Sequence, residues 1–179
     1  MRKLGMDELN RLSVDAFRQS EKMPVVVVLD NIRSMHNVGS VFRTADAFRI
    51  EVIYLCGYTP QPPHRDIHKT ALGATETVEW KYFQDICAVL KELKGEGWQV
   101  YAVEQVENSL PLQEMARQQT GKTVVVFGNE VSGVGDEALR LCDGSLEIPQ
   151  WGMKHSLNIS VAAGIVLWEL ARNYRFDKL

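Results

Sequence analysis

Two hydrophobic periods alternate along this chain. Residues 25–30 read Val-Val-Val-Val-Leu-Asp behind Pro24, a β-branched run with no polar face. That pattern predicts a strand buried on both faces of a parallel sheet. Shorter runs at 51–55, 98–103, 123–130 and 145–149 predict further strands. Between them the spacing lengthens to a helical one. Val38, Val41, Phe42 and Ala45 mark one helix, and residues 83–95 mark a second that Gly95 and Gly97 close. Residues 156–174 predict a third, with Leu157, Val161, Ile165 and Trp168 on one face. Further helices are expected at 6–20, with Leu9, Leu12, Ala16 and Phe17 on one stripe, near 69–72, at 112–119 and at 136–142. Residues 57–75, rich in Gly, Pro and His, and residues 150–155 read as loops. Alternating strands and helices predict an α/β fold, a mostly parallel sheet with helices on both faces.

Composition narrows the class. A length of 179 residues fits one ordinary domain, and the sequence holds no internal repeat or linker. Hydrophobic residues at 45% and charged residues at 24% exclude disordered and collagen-like chains. No apolar run approaches the roughly 18 residues of a membrane span. The first residues, Met-Arg-Lys-Leu-Gly-Met-Asp-Glu, lack an apolar signal core, so a cytoplasmic protein is expected. Cys56, Cys87 and Cys142 are an odd set at no zinc spacing and read as free thiols. A net charge of −3 argues against a protein that coats nucleic acid wholesale. A local basic patch survives that argument. Residues 33–69 carry Arg33, Arg43, Arg49, Arg65 and Lys69 against Asp46, Glu51 and Asp66, with His36, His64 and His68 among them. Any polyanion should meet this half of the chain, with Arg33, His36, Arg43, Arg65 and Lys69 as its candidate contacts.

Several familiar motifs fail on inspection. Residues 128–133 have the glycine spacing of a phosphate-binding loop, but Val134 and Gly135 replace the Lys-Ser/Thr that would hold phosphate and magnesium. Ser132 lacks the first glycine of a nucleophile elbow. His64 and His68 are four apart, but Arg65 stands where a zinc protease carries glutamate, and no third ligand is evident. No metal is expected.

Three segments remain, each at the C-terminal end of a predicted strand, the edge where open α/β sheets collect ligands. They are residues 29–48, 124–134 and 146–169. The first contains Asn37, Gly39, Arg43 and Thr44 in the spacing N-x-G-x-x-x-R-T. The second reads F-G-N-E-x-x-G through Phe127, Gly128, Asn129, Glu130 and Gly133. The third places Ile148, Pro149, Gly152, Ser156, Leu157, Asn158, Ser160, Val161 and Ala162 in I-P-x-x-G-x-x-x-S-L-N-x-S-V-A. In this order the three resemble the motifs of the SpoU/TrmH family of RNA ribose 2′-O-methyltransferases in the SPOUT superfamily. Residues 69–80 resemble the segment that links the family's motifs. Gln150 departs from the pattern, which commonly has Met there, and leaves the spacing intact.

The resemblance implies a methyltransferase domain over residues 23–179, an N-terminal helical extension over 1–22, a deep C-terminal trefoil knot and a homodimer. It also implies S-adenosylmethionine as cofactor and RNA as substrate. The small size favours tRNA over rRNA. A non-catalytic RNA-binding or assembly factor of the same fold is the alternative, and a base-nitrogen methyltransferase is a second. By resemblance, Val103, Gly128, Ile148, Ser156 and Leu157 bind the cofactor, while Arg43, Asn37, Glu130, Ser156 and Asn158 form the catalytic set. Physical chemistry supports parts of this assignment. Gly128 allows close backbone approach, and Ile148 and Leu157 suit an apolar clamp on adenine. Arg43 fits a bidentate grip on phosphate and stabilisation of a developing alkoxide, whereas a general-base role conflicts with a guanidinium pKa above about 12. Both versions stay open. Asn37 suits either a helix cap or the orientation of Arg43 or the ribose. Glu130 is expected to position Arg43 through an ion pair.

Overall fold

The computed structural model describes residues 1–9, 12–115, 121–154 and 156–176. Seven strands form one sheet: β1 (Met23–Asp30), β2 (Ile50–Cys56), β3 (Glu79–Phe83), β4 (Gln99–Val103), β5 (Leu110–Pro111), β6 (Thr123–Phe127) and β7 (Gly144–Glu147). Their order is β3-β2-β1-β6-β4-β7-β5, and each pairing is parallel. The central place of β1 explains its sequence. Val25, Val27 and Leu29 enter one core, Val26 and Val28 the other, so neither face tolerates a polar residue.

The first core is covered by α1 (Val14–Gln19), α2 (Met35–Phe48), α3 (Arg65–Ala71), α4 (Ala74–Thr77), α6 (Leu112–Met115) and α8 (Ile159–Phe176). The second lies under α5 (Ile86–Gly95) and α7 (Asp136–Leu139). The predicted two-faced α/β layering is therefore observed. Register then places the site. Leu29 pairs with Phe127, and Val103 with Leu146, so the loops leaving β1, β6, β4 and β7 emerge side by side.

α2 and α3 cross at Gly39. A Cβ there would overlap the carbonyl oxygen of Ile67 and the side chain of Thr70, so the two helices meet backbone to backbone. The Thr70 hydroxyl also donates to the carbonyl of His36 at 3.1 Å.

The structure corrects several predicted elements. Residues 6–20 are not one helix: a 3₁₀ turn spans Met6–Leu9, and α1 starts afresh where the Ser13 hydroxyl accepts from the Ala16 N–H. Leu9, Leu12 and Ala16 are exposed, and of the expected stripe only Phe17 is buried. Residues 79–83, where the sequence reading has a linking segment ending at 80 and a helix starting at 83, form the edge strand β3, whose alternation of charged and aromatic residues is too short to stand out. Asp85 then caps α5, which begins three residues later than expected. α8 begins at Ile159, leaving Ser156, Leu157 and Asn158 in the preceding loop. Its core face is Ile159, Ala163, Val166, Leu167 and Leu170, whereas Val161, Ile165 and Trp168 face outward. The helix predicted at 112–119 is observed over Leu112–Met115, and its remainder lies outside the described residues.

Candidate active site at the C-terminal edge of the sheet

After β1 the chain passes through Asn31 and Arg33 into α2. Ser34 caps α2, accepting from the Asn37 N–H at 3.3 Å. Asn37 is therefore not the cap, and its side chain is released for other partners. Its Nδ2 donates to Glu130 Oε1 at 3.1 Å. Glu130 also accepts from the backbone N–H of Arg33 at 2.9 Å and of Ser34 at 3.1 Å. Asn37 Oδ1 in turn accepts from Asn158 Nδ2 at 3.1 Å. Asn158 closes the set by capping α8: its Oδ1 accepts from the N–H of Ser160 at 2.9 Å and from the Ser160 hydroxyl at 2.6 Å. One hydrogen-bonded line, Glu130–Asn37–Asn158, thus joins the three sequence motifs.

Electrostatics follow from this geometry. Partial burial pushes the Glu130 carboxyl up, but the N–H groups of Arg33, Glu130 itself and Ser34, with the Asn37 amide, bring it below its ordinary value. Glu130 is consequently a carboxylate at neutral pH. It forms no ion pair with Arg43 among the described residues, contrary to the sequence expectation. Arg43 lies six positions beyond Asn37, roughly 9 Å along the helix axis, and is exposed. The backbone N–H groups entering α2 fill the place beside Glu130 instead.

The loop after β6 is held by Asn129. Its backbone exchanges hydrogen bonds with Gly133 at 3.0 and 2.9 Å. Its side-chain oxygen accepts from Val131 N at 2.9 Å and Ser132 N at 3.0 Å, while Nδ2 donates to the Asn31 carbonyl and the Tyr58 hydroxyl, both at 2.8 Å. Gly133 adopts φ 67°, a left-handed conformation that favours glycine. Gly128 has a different constraint. A Cβ there would overlap the backbone of Gly133 and Val134, so this glycine is required by the chain's own loop.

Beside this hub lies a cavity of about 420 Å³. Val103, Gly128, Ile148, Ser156 and Leu157, the five residues expected to bind a cofactor, all line it, together with Glu130 and Asn158. Asn37 and Arg43 do not. Sequence reading missed Glu104 and Glu147, which also line it. Glu104 accepts from Val134 N and Gln105 N, both at 3.1 Å, and Glu147 accepts from the Ser109 hydroxyl at 2.5 Å. Their positions at the ends of β4 and β7 were the available signal. Among the described residues the lining holds three glutamates and no Lys, Arg or His, beside an apolar wall that includes Phe127, Leu146 and Ile148. That chemistry suits a ligand with a planar apolar part and positive charge.

The candidate RNA contacts Arg33, His36, Arg43, Arg65 and Lys69 are all exposed, on α2, α3 and the turn before α2. His64 Nδ1 accepts from the Asp66 N–H at 3.2 Å and caps α3. No described helix is long and apolar enough to cross a membrane.

Comparison with known proteins adds an independent finding. A tRNA (guanosine(18)-2′-O)-methyltransferase of Thermus thermophilus is 32% identical over 165 residues, covering 92% of this chain and 83% of that protein. The crystal structure of the A. aeolicus TrmH/SpoU tRNA modifying enzyme matches with a TM-score of 0.82 at 28% identity, covering 92% of this chain and 84% of that one. The AdoMet-bound rRNA methyltransferase from Sinorhizobium meliloti matches with a TM-score of 0.78 at 28% identity, covering 92% of this chain and 62% of that one. Since three motifs converge at one sheet edge and the SpoU rRNA Methylase family matches residues 24–168, the chain belongs to that family.

Proposed function

We propose that the chain is an S-adenosylmethionine-dependent RNA methyltransferase that methylates a ribose 2′-hydroxyl, with tRNA favoured over rRNA. The observation that carries this reading is the Glu130–Asn37–Asn158 line standing against a cavity of suitable chemistry. S-adenosylmethionine supplies an electrophilic methyl group on a positively charged sulfonium. Ile148 and Leu157 offer apolar contact for its adenine, and Glu104, Glu130 and Glu147 favour its positive charge.

The chain's own residues must then hold a ribose hydroxyl at near-attack distance and manage its proton. Asn37 and Asn158 restrain one another, and Glu130 fixes Asn37. The guanidinium of Arg43 stays charged, grips the neighbouring phosphate and stabilises the oxygen as its negative charge develops. It forms no ion pair among the described residues, which supports a role toward RNA.

The same reading assigns residues 23–179 to the methyltransferase domain, residues 1–22 to an extension, and the protein to the cytoplasm. We infer the trefoil knot from the family motifs together with the likeness to the A. aeolicus fold. We infer a homodimer from α8, whose outer face presents Val161 at 50%, Ile165 at 38% and Trp168 at 49% exposure.

The test is methyl transfer to bulk tRNA from cells lacking this protein, followed by nucleoside mass spectrometry. A 2′-O-methylated nucleoside is expected. Transfer to a base, or no transfer to any cellular RNA, would overturn the reading.

A further inference from the structure

The loop between β7 and α8 touches the cavity at both ends. Ile148 and Gln150 line it on one side, Ser156 and Leu157 on the other. Its middle stands away: Trp151 is 93% exposed and Met153 83%, with Lys154 exposed beside them. Trp151 has no hydrogen bond or aromatic partner among the described residues. An indole is the largest apolar side chain, and leaving it in water forfeits the gain of burial. A lone exposed apolar residue on a remote surface needs no account. This one projects from a loop that lines a cavity at both ends.

We propose that Trp151 is a stacking platform for a base of the bound RNA, at or next to the nucleotide whose ribose is methylated, and that Lys154 meets the adjoining phosphate. The inference rests on the methyltransferase reading above and deepens it. A ribose that reaches the cavity brings its base and flanking phosphates to the rim. Phosphates are repelled from a lining whose described residues include Glu104, Glu130 and Glu147 and no cation. They are held at the rim, where Lys154 is the only charged residue of 148–154. Every base offers a π-face to an indole, so the contact is tolerant of sequence and fixes position. The apolar face of α8 is separate, carried by a helix and assigned to a second copy of the chain.

Kinetics with the intact chain and bulk tRNA from cells lacking the protein test the proposal. Trp151→Ala is expected to raise KM for tRNA roughly 5- to 150-fold, the factor equivalent to about 1–3 kcal/mol for stacking one base. kcat should stay within a few-fold of wild type, and Trp151→Phe should recover most of the loss. Both variants should bind S-adenosylmethionine normally by calorimetry and keep the wild-type mass in light scattering. Adding tRNA should quench wild-type tryptophan emission, and the quenching should shrink in Trp151→Phe. Unchanged KM and unchanged quenching would overturn the proposal. So would a loss of mass in Trp151→Ala, which would place the indole between copies of the chain. An inactive wild type would overturn the methyltransferase reading instead, and the quenching would still decide whether Trp151 meets RNA.

Discussion

Asn158 Nδ2 donates to Asn37 Oδ1 at 3.1 Å, although 121 positions separate the two residues. Each is also engaged at its other side-chain atom, Asn37 with Glu130 and Asn158 with Ser160. Neither side chain can rotate without breaking at least two hydrogen bonds, so each holds the other in a single orientation. Asn37→Ala should therefore loosen Glu130 and Asn158 together. Methyl transfer should fall on the order of 100-fold, the cost of misplacing a reacting group by about 1 Å. Single-turnover methylation reads this directly, and an additive Asn37→Ala/Asn158→Ala double variant would contradict the coupling.

Arg43→Ala should remove most turnover, on the order of 100- to 1000-fold, with cofactor affinity nearly intact. Arg43→Lys separates the two mechanisms. Loss of the planar fork defeats a bidentate phosphate grip, whereas a lysine able to shed its proton keeps more of a general-base role. The pH–rate profiles of the two variants decide between them.

Glu130 gives stability a pH dependence. Hydrogen bonds to its ionised form hold its folded pKa below the ordinary value. Its contribution is complete above the unfolded carboxylate range, near pH 4, and is lost as pH falls through the lowered folded value. Because the carboxylate is exposed, the effect should be small. Urea midpoints of wild type and Glu130→Gln should differ most near pH 7 and converge in acid.

Gly128 tests the loop rather than the cofactor. The sequence suggests that Gly128→Val blocks ligand binding in an otherwise intact protein. The structure instead has the added Cβ overlapping the backbone of Gly133 and Val134. Even Gly128→Ala should destabilise the fold by about 1–3 kcal/mol, lowering Tm by roughly 2–12 °C. A thermal melt matching wild type would refute this account.

The outer face of α8 carries the association prediction. Val161→Glu or Ile165→Glu places a charge on an exposed apolar stripe that the helix's own core does not need. Light scattering should show half the wild-type mass with the helical signal retained. An unchanged mass would remove α8 from the interface.

Legibility in the sequence followed burial. The run at 25–30 announced β1 because both faces of that strand are core, while β3 hid because an edge strand alternates charged and aromatic residues over five positions. For α8, periodicity revealed apolar stripes but not which one turns inward; Val161, Ile165 and Trp168 look no less core-like than Val166 and Leu170. Three motifs pointed to the candidate site through their resemblance to the family's patterns, in which glycines and asparagines stand at fixed spacing. The partner of Glu130 could not be read that way. Its ligands are backbone N–H groups of Arg33 and Ser34, which every residue but proline possesses. Glu104 and Glu147 were passed over because a single carboxylate at a strand end resembles any surface acid.

The crossing at Gly39 has a consequence for how a nucleic acid is met. With α2 and α3 in backbone contact there, no side chain separates the two helices at the crossing. Arg33, His36 and Arg43 on one side and Arg65 and Lys69 on the other are thereby carried on backbones that touch. On the reading proposed above, an RNA backbone would therefore meet two sets of cations whose spacing is set by the approach of two main chains and not by side-chain packing between the helices.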